Sequence, residues 1–258
     1  MSPVRRNRSA LVLAYHAIAD LPAGANLRPY SVPPGEFIDQ LDVLERAGYR
    51  FIDVDALLAA LDGGRLLPPK AALVTFDDCY ADLLSVAAPA LAARGIPAVA
   101  FAVAGRLGAK NDWDAAGTEP HLQLLDAEGL RELSRFGIEV GAHSLTHARL
   151  TEVAPEQLVG EVVGCCDRLE AAGLSRPRVF AYPYGAQDAS VVAAVREAGL
   201  RAAFITKSGL VGPKSDRFRL PRMELRRGDT GARFRLRLTA AHAPALMRRA
   251  LATVSVRR

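Results

Sequence analysis

The chain has 258 residues, of which 50% are hydrophobic, and a net charge of +5, so a sizeable core is expected and general disorder is excluded. No apolar run reaches 18 residues, and this excludes a membrane-spanning helix of ordinary length. The three cysteines, Cys79, Cys165 and Cys166, are an odd number with two adjacent, which does not suit a disulfide framework and favours a reducing, cytoplasmic compartment.

Short apolar segments and amphipathic segments alternate from the N-terminus onward. We expect residues 1–8 to form a flexible tail. The predicted strands are residues 11–16, 50–54, 71–74, 98–103, 138–142, 179–182, 202–206 and 220–225. The predicted helices, several closed by glycine, are residues 34–47, 55–61, 80–94, 126–136, 155–172, 189–198 and 230–253. Pro89 and Pro244 interrupt two of these helices.

This alternation, with short connections, predicts a parallel α/β fold. No glycine-rich fingerprint follows the first strand, which disfavours a dinucleotide-binding sheet. Polar side chains instead follow the strands, and these are His16, Asp77, Asp78, His143, His147 and Tyr184. A β/α barrel gathers the ends of all its strands onto one rim, where active sites lie. We therefore predict a barrel rather than an open sheet.

Asp77 and Asp78 are adjacent carboxylates at the end of a buried strand. Successive side chains of a strand point to opposite faces, so a turn of the backbone is needed to aim both into one site. Burying two acids is costly unless a cation meets them. The simpler alternative is that one of them caps the next helix.

His143 and His147 can complete a metal site with one of these acids. If the segment between them turns helically, both imidazoles fall on one side. Two histidines and one carboxylate, with a position left open, are typical of a catalytic ion that lowers the pKa of its water from 15.7 to roughly 7. The second aspartate can then act as general base.

Three segments together resemble the NodB-like polysaccharide deacetylases, which are metal-dependent carbohydrate esterases. They are the Thr-Phe-Asp-Asp of residues 75–78, the His-Ser-Leu-Thr-His of residues 143–147 and the Phe-Ala-Tyr-Pro-Tyr-Gly of residues 180–185. The early Leu-Ala-Tyr-His-Ala-Ile of residues 13–18 is similar to the branch that includes poly-N-acetylglucosamine deacetylases. The resemblance implies a single, irregular, incomplete (β/α)7 barrel, which we assign to residues 9–229. A basic helical extension would follow at residues 230–258.

The resemblance also implies roles. Asp77 matches the general base, and Asp78, His143 and His147 match the ligands of a divalent ion, for which we expect zinc. Tyr184 matches the residue whose backbone N–H stabilises the oxyanion together with the metal. These roles fit the chemistry of amide hydrolysis, which needs an activated water, a proton acceptor and charge stabilisation.

An acid must also protonate the departing amine, and two histidines compete for this role. Most of the family places the acid on a late Leu-x-His motif, for which His242 is the candidate here. His16 lies at a predicted strand end and matches the branch in which the early histidine is the acid. We favour His16.

The sequence departs from the family pattern at two positions. Cys79 stands where the family has glycine, as a small buried residue or as a thiol able to reach the metal. Ala181 stands where many members carry an arginine that steadies the base. Arg222 is the first candidate to supply that charge, and Arg178 is a weaker one.

The expected function is removal of N-acetyl groups from an amino sugar in a polysaccharide or glycolipid precursor. The same site acting on an O-acetyl ester or a non-sugar amide is one alternative, and a non-catalytic carbohydrate-binding protein is another. From Lys214 onward the chain has 13 Lys/Arg and 3 Asp/Glu. This charge suits either an anionic membrane surface or a solvated helix. We expect a carbohydrate or glycolipid partner, peripheral membrane contact and no nucleic acid.

Overall fold

A computed structural model of the protein describes residues 9–113 and 121–242. The predicted tail at residues 1–8 and residues 243–258 of the predicted extension lie outside the described residues. The strands are β1 (Ala10–Tyr15), β2 (Arg50–Phe51), β3 (Ala71–Asp78), β4 (Ala98–Ala102), β5 (Ile138–Ala142), β6 (Val179–Ala181), β7 (Ala202–Phe204) and β8 (Met223–Glu224). The helices are α1 (Pro34–Arg46), α2 (Val54–Leu61), α3 (Ala88–Ala92), α4 (Ala127–Glu132), α5 (Pro155–Ala171), α6 (Ala189–Glu197) and α7 (Gly231–His242).

The strands pair in parallel in the order β7-β6-β5-β4-β3-β1-β8, and β2 pairs with the start of β3. The segment leading into β8 links the two ends of this order. The N–H of Ile205, after β7, donates to Leu220 O (2.9 Å), and the N–H of Leu225 donates to Ala14 O in β1 (2.8 Å). The sheet thus curls into an incomplete barrel, and the predicted fold class is confirmed.

Alternation along the strands separates two apolar layers. In β3, Leu73 faces the barrel interior with Val12 and Phe101, and α2 packs against this interior cluster. Val74 and Phe76 face outward into the layer beneath the surrounding helices. Because every second residue faces inward, β3 places Thr75 and then Asp77 above Leu73.

Element boundaries differ from the predictions where local backbone chemistry intervenes. The predicted helix at 80–94 begins as a π-helical turn, Leu83–Ala87, before α3. Pro89 has no N–H to offer the carbonyl four residues earlier, so a regular α-helix cannot run through this point. The segment at 126–136 ends as the 3-10 turn Leu133–Phe136.

The described part of the C-terminal segment is integrated into the fold. Helix α7 lies against α1 and buries Phe234 and Leu238. Arg237 of α7 donates to the backbone carbonyl of Glu224 (2.8 Å). Within residues 9–113 and 121–242, no helix is both long and apolar enough to cross a membrane.

Candidate active site

Asp77 and Asp78 both reach the carboxyl end of the barrel, but by different means. Asp77 continues the inward face of β3, whereas Asp78 belongs to the opposite face. The backbone turns at this point, since Asp78 has φ +71° and Cys79 has φ +59°. This left-handed turn redirects Asp78 toward the site and explains why glycine suits position 79 in the family. The thiol of Cys79 is buried in the outer layer.

His143 follows β5 directly, and His147 lies in the loop beyond it. This loop is not helical, so the expected helical turn is wrong. Ser144 and His147 instead have φ values of +62° and +65°. The Ser144 hydroxyl accepts a hydrogen bond from the His147 N–H (2.9 Å), which tightens the loop. A tight turn with two left-handed residues therefore brings the imidazoles together.

Asp78, His143 and His147 form a candidate metal site. Asp78 Oδ1 lies 3.5 Å from His143 Nε2 and 3.3 Å from His147 Nε2. One ligand atom from each residue lies within 4.8 Å of the others, and all three residues are buried. Asp78 Oδ1 is buried and has no hydrogen-bond partner among the described residues. A divalent cation would satisfy this oxygen, and the donor set is one that zinc and similar ions prefer.

The imidazoles present lone pairs to this site. His143 Nδ1 lies 2.7 Å from the carbonyl oxygen of Ala181, so this nitrogen carries the proton and Nε2 is left as an acceptor. Burial lowers the pKa of His147 to about 2, which keeps that ring neutral. The His147 ring is stacked by Trp113 at 4.4 Å between centroids.

Asp77 is held by Arg222. The guanidinium makes two parallel bonds to the carboxylate, Nη1 to Oδ1 and Nη2 to Oδ2, each 2.7 Å long. Nη1 also donates to the Thr75 hydroxyl (3.2 Å), and the Arg222 side chain is completely buried. Burial by itself raises the pKa of Asp77, but Arg222, followed by His143 and His16, outweighs it and holds that pKa well below its usual range. Asp77 is thus ionised and fixed in orientation.

Arg178, the weaker candidate for this charge, does not reach the site. It precedes β6 and binds Glu139 and Asp55 at the opposite end of the barrel. Ala181 is buried in the barrel interior, and its carbonyl serves His143. The arginine that contacts Asp77 therefore comes from the segment entering β8.

The two candidate acids lie at opposite ends of β3. His16 Nε2 is 4.0 Å from Asp77 Oδ2, and its ring is 5.5 Å from that of Tyr30. His242 instead lies 2.8 Å from the hydroxyl of Tyr49, which precedes β2 near the start of β3. Six residues of strand separate that level from Asp77, or about 20 Å. The structure brings His16 to the site and leaves His242 away from it.

Tyr184 lies in the turn after β6, beside His147. Its φ is +58°, and its ring centroid is 4.8 Å from that of His147. The Arg149 guanidinium lies 4.5 Å above the Tyr184 ring. The next residue must be glycine, because Gly185 has φ +68° and a Cβ there would clash with Thr206, two residues after β7.

One cavity of about 640 Å³ is lined by the sequence-predicted site residues His16, Asp77, Asp78, His143, His147 and Tyr184. Its wall also holds residues to which the sequence analysis assigned no role, namely Asn26, Tyr30, Asn111, Trp113, Arg149 and Arg226. Aromatic faces with a few polar groups are typical of sites for small organic ligands and sugar rings. Trp113 is the single tryptophan of the chain. It lies in a segment that shows neither helical nor strand periodicity, and this was the only indication in the sequence that it has a role in the site.

A second overlooked residue is Glu161 in α5. It is buried and binds the loop between the two histidines. The sequence did carry a signal, because Glu161 lies three residues after Leu158 and four before Cys165 on the apolar face of the helix.

The barrel, the ionised Asp77 and the three convergent candidate ligands are those expected of one class, the metal-assisted hydrolases built on a β/α barrel. Residues 65–203, from before β3 into β7, match the family model described as polysaccharide deacetylase. The chain belongs to this family, as the sequence predicted, and is a hydrolase of the polysaccharide deacetylase type.

Individual relatives agree with this assignment. The poly-beta-1,6-N-acetyl-D-glucosamine N-deacetylase of Staphylococcus aureus is 22% identical over 237 residues, which cover 84% of this chain and 79% of the relative. The solved structure of IcaB from Ammonifex degensii is 26% identical, with a TM-score of 0.74 over 84% of this chain and 92% of that one. Streptococcus pyogenes deacetylase PplD in complex with acetate has a TM-score of 0.76 at 22% identity, covering 92% and 99% of the two chains.

Proposed function

We propose that the protein removes N-acetyl groups from an amino sugar of a polysaccharide or glycolipid precursor, with a divalent metal ion bound by Asp78, His143 and His147. One observation carries the proposal. Two adjacent aspartates open into one cavity in different environments, Asp77 clamped by Arg222 and Asp78 facing two imidazoles with an unsatisfied oxygen.

Each group has a place in amide hydrolysis. A bound divalent ion would polarise the acetyl carbonyl and lower the pKa of a water molecule from 15.7 to roughly 7. Asp77, kept ionised and oriented by Arg222, accepts the proton of the attacking water. His16 donates a proton to the departing amine nitrogen, without which the tetrahedral intermediate returns to the amide. The backbone N–H of Tyr184 is assigned to the oxyanion.

Zinc is the proposed ion. Two imidazoles and one carboxylate, with a position left for water and substrate, are the ligand set of many hydrolytic zinc sites. The hydrogen bond between His143 and the Ala181 carbonyl fixes the ring orientation that such a site needs.

The proposed substrate is a glycan rich in N-acetylated amino sugar, in line with the activity named for the Staphylococcus aureus relative. Tyr30, Trp113 and Tyr184 offer apolar faces to sugar rings. Arg149 and Arg226 also line the cavity, each paired with a nearby carboxylate, Glu152 and Glu224, and their guanidinium groups suit the phosphate of a glycolipid precursor.

A membrane-peripheral, cytoplasmic location is part of the proposal. Within the described residues it draws on Arg233 and Arg235 of α7. The measurement is co-sedimentation with vesicles of anionic or neutral lipid at low and high salt. Binding to anionic vesicles that weakens with salt supports the proposal, and equal recovery with both lipids contradicts it.

Acetate release is the deciding experiment. Purified protein supplemented with zinc is incubated with N-acetylated and O-acetylated oligosaccharides, and the Asp77→Asn variant is the control. We expect release from the N-acetylated sugars, falling about 10²–10⁴-fold in Asp77→Asn while metal binding is kept. Release from O-acetyl esters alone would favour the esterase alternative, and full activity of Asp77→Asn would remove the assigned base.

A further inference from the structure

The loop between His143 and His147 is anchored by a buried carboxylate from a helix behind it. Glu161 Oε2 accepts the backbone N–H of Thr146 (3.0 Å) and, together with the Glu161 backbone carbonyl (3.0 Å), that of Leu145 (3.1 Å). Glu161 Oε1 accepts the Thr146 hydroxyl (2.6 Å). The Glu161 side chain therefore binds Leu145 and Thr146, which lie in the loop between His143 and His147.

This carboxylate has no cationic partner. Glu161 is 9% exposed, and no Lys, Arg or His of the described residues lies within ion-pair distance of it. Burying an unpaired carboxylate is costly, and here the charge is met by three donors of the loop. A buried carboxylate would destabilise the protein if Glu161 only filled space on the inner face of α5. The hydrogen bonds of the Glu161 side chain all go to the loop that joins the two histidines.

The loop needs this support because its backbone is strained. Ser144 and His147 are left-handed residues other than glycine, a conformation that persists only where the surroundings enforce it. The same loop is also bound by the 3-10 turn after β4 (Ala104–Arg106), where the N–H of Gly105 donates to Leu145 O (2.7 Å) and that of Ala104 to Ser144 O (3.2 Å). Glu161 and this turn therefore hold the loop together, and the loop sets the distance between the imidazoles of His143 and His147.

We propose that Glu161 is a positioning residue that sets the metal affinity of the site by holding the loop of residues 144–147. It touches neither the ion nor the substrate. The inference rests on the proposed function only in taking His143 and His147 as ligands. It predicts that shortening Glu161 separates the imidazoles and weakens metal binding in a protein that remains folded.

The test measures metal binding rather than turnover. Cobalt and zinc affinities of the full chain are obtained by chelator competition for the wild type, Glu161→Ala, Glu161→Gln and the control Glu156→Gln, an exposed acid at the start of α5. We expect Glu161→Ala to weaken affinity by about 10–100-fold and to change the visible spectrum of bound cobalt. Glu161→Gln keeps one acceptor oxygen and recovers part of the loss, and Glu156→Gln matches the wild type.

Equal metal affinity and an unchanged cobalt spectrum in Glu161→Ala would overturn the inference. If that variant does not fold, Thr146→Val removes a single hydrogen bond to Glu161 and replaces the decisive comparison. A several-fold weaker affinity in Thr146→Val then supports the inference, and wild-type affinity contradicts it. A wild-type protein that binds no cobalt would instead overturn the proposed function, and this inference with it.

Discussion

The two ends of the barrel differ in the residues that adopt a positive φ where the chain reverses. Chain reversals at both ends require positive φ. At the end where strands begin, glycines take this conformation before the strands, at Gly48, Gly95, Gly137 and Gly199. At the end where strands finish, residues with side chains take it, at Asp78, Cys79, Ser144, His147 and Tyr184. A left-handed residue other than glycine costs roughly 1–2 kcal/mol. Among the described residues, the chain accepts this cost five times at the end that carries the candidate site and once at the other end, at Lys70 before β3.

Charges follow the same division. At the first end, Asp62 binds Arg201 and Arg217 in an ion pair that water reaches. At the second end, Asp77 and Arg222 are buried, and Asp78 has an unsatisfied oxygen. Pairs of the first kind contribute little to stability, whereas a buried group without its partner is strongly unfavourable. Substitutions at the two ends should therefore lower the free energy of unfolding by different amounts.

The largest expected effect is loss of the metal site at the carboxyl end. His143→Ala removes one of the three proposed ligands, so we expect bound metal to fall below about a tenth of an equivalent and acetate release to fall by about 10²–10³-fold or more. Metal content is measured on dialysed protein by atomic emission. Full occupancy in this variant would contradict the ligand set.

The next effect concerns the buried pair. Arg222→Met leaves Asp77 buried and uncompensated, and we expect the free energy of unfolding in chelator to fall by about 3–5 kcal/mol. Arg217→Met, at the exposed pair, is the control and should cost less than about 1 kcal/mol. Urea titration of both variants gives the comparison. Similar losses would remove the contrast between the two ends.

His16 and His242 test the same division through activity. His16→Ala removes the proposed proton donor and should lower kcat by about 10² with little change in metal content. His242→Ala, which loses only a bond to Tyr49, should remain within about twofold in the same acetate-release assay. The reverse ranking would overturn the choice of acid.

Asp82 gives a pH-dependent effect beside the rim. Its carboxylate accepts the Ile18 N–H (2.6 Å), just after His16, and burial raises the pKa of Asp82 to about 6 against the opposing effect of that hydrogen bond. The usual pKa in an unfolded chain is about 4, so the native state binds the proton more tightly. The free energy of unfolding therefore falls as pH rises from about 4 to about 6.

The Asp82→Asn side chain keeps an acceptor oxygen but has no charge. The free energy of unfolding of this variant should therefore not show the decrease between about pH 4 and pH 6 that Asp82 causes. We expect the difference between Asp82→Asn and wild type to grow by about 1–3 kcal/mol between pH 4 and pH 7. Urea titrations across this range measure it, with the exposed Asp39→Asn as control. Parallel stability curves for Asp82→Asn and wild type would show that Asp82 does not carry the effect.

The smallest effect lies at the glycine end. Gly137 has φ +73°, and a Cβ placed there would meet no other atom, so Gly137→Ala isolates the cost of a left-handed side chain. We expect a loss of about 1–2 kcal/mol in thermal unfolding, with metal affinity and turnover unchanged. A change in turnover would show that the two ends are coupled.

Much of the fold and part of the site followed from local rules. Alternating apolar segments and their closing glycines predicted the order of strands and helices, because periodicity and glycine conformations are properties of neighbouring residues. The adjacent acids and the spaced histidines were recognisable for the same reason. The boundaries of β2, β7 and β8 were less accurate, since pairing with neighbouring strands sets where short strands stop.

The sequence by itself determined which chemical groups stand at the strand ends and in what order. Only the tertiary structure decided how they meet: that Asp78 turns back through a left-handed residue, that Arg222 reaches Asp77 across 145 positions, that His16 is near and His242 far, and that Glu161 holds the histidine loop. The physical reason is that these are long-range choices. Each is fixed by burial and by the need to satisfy buried polar groups, which depend on elements far apart in the chain.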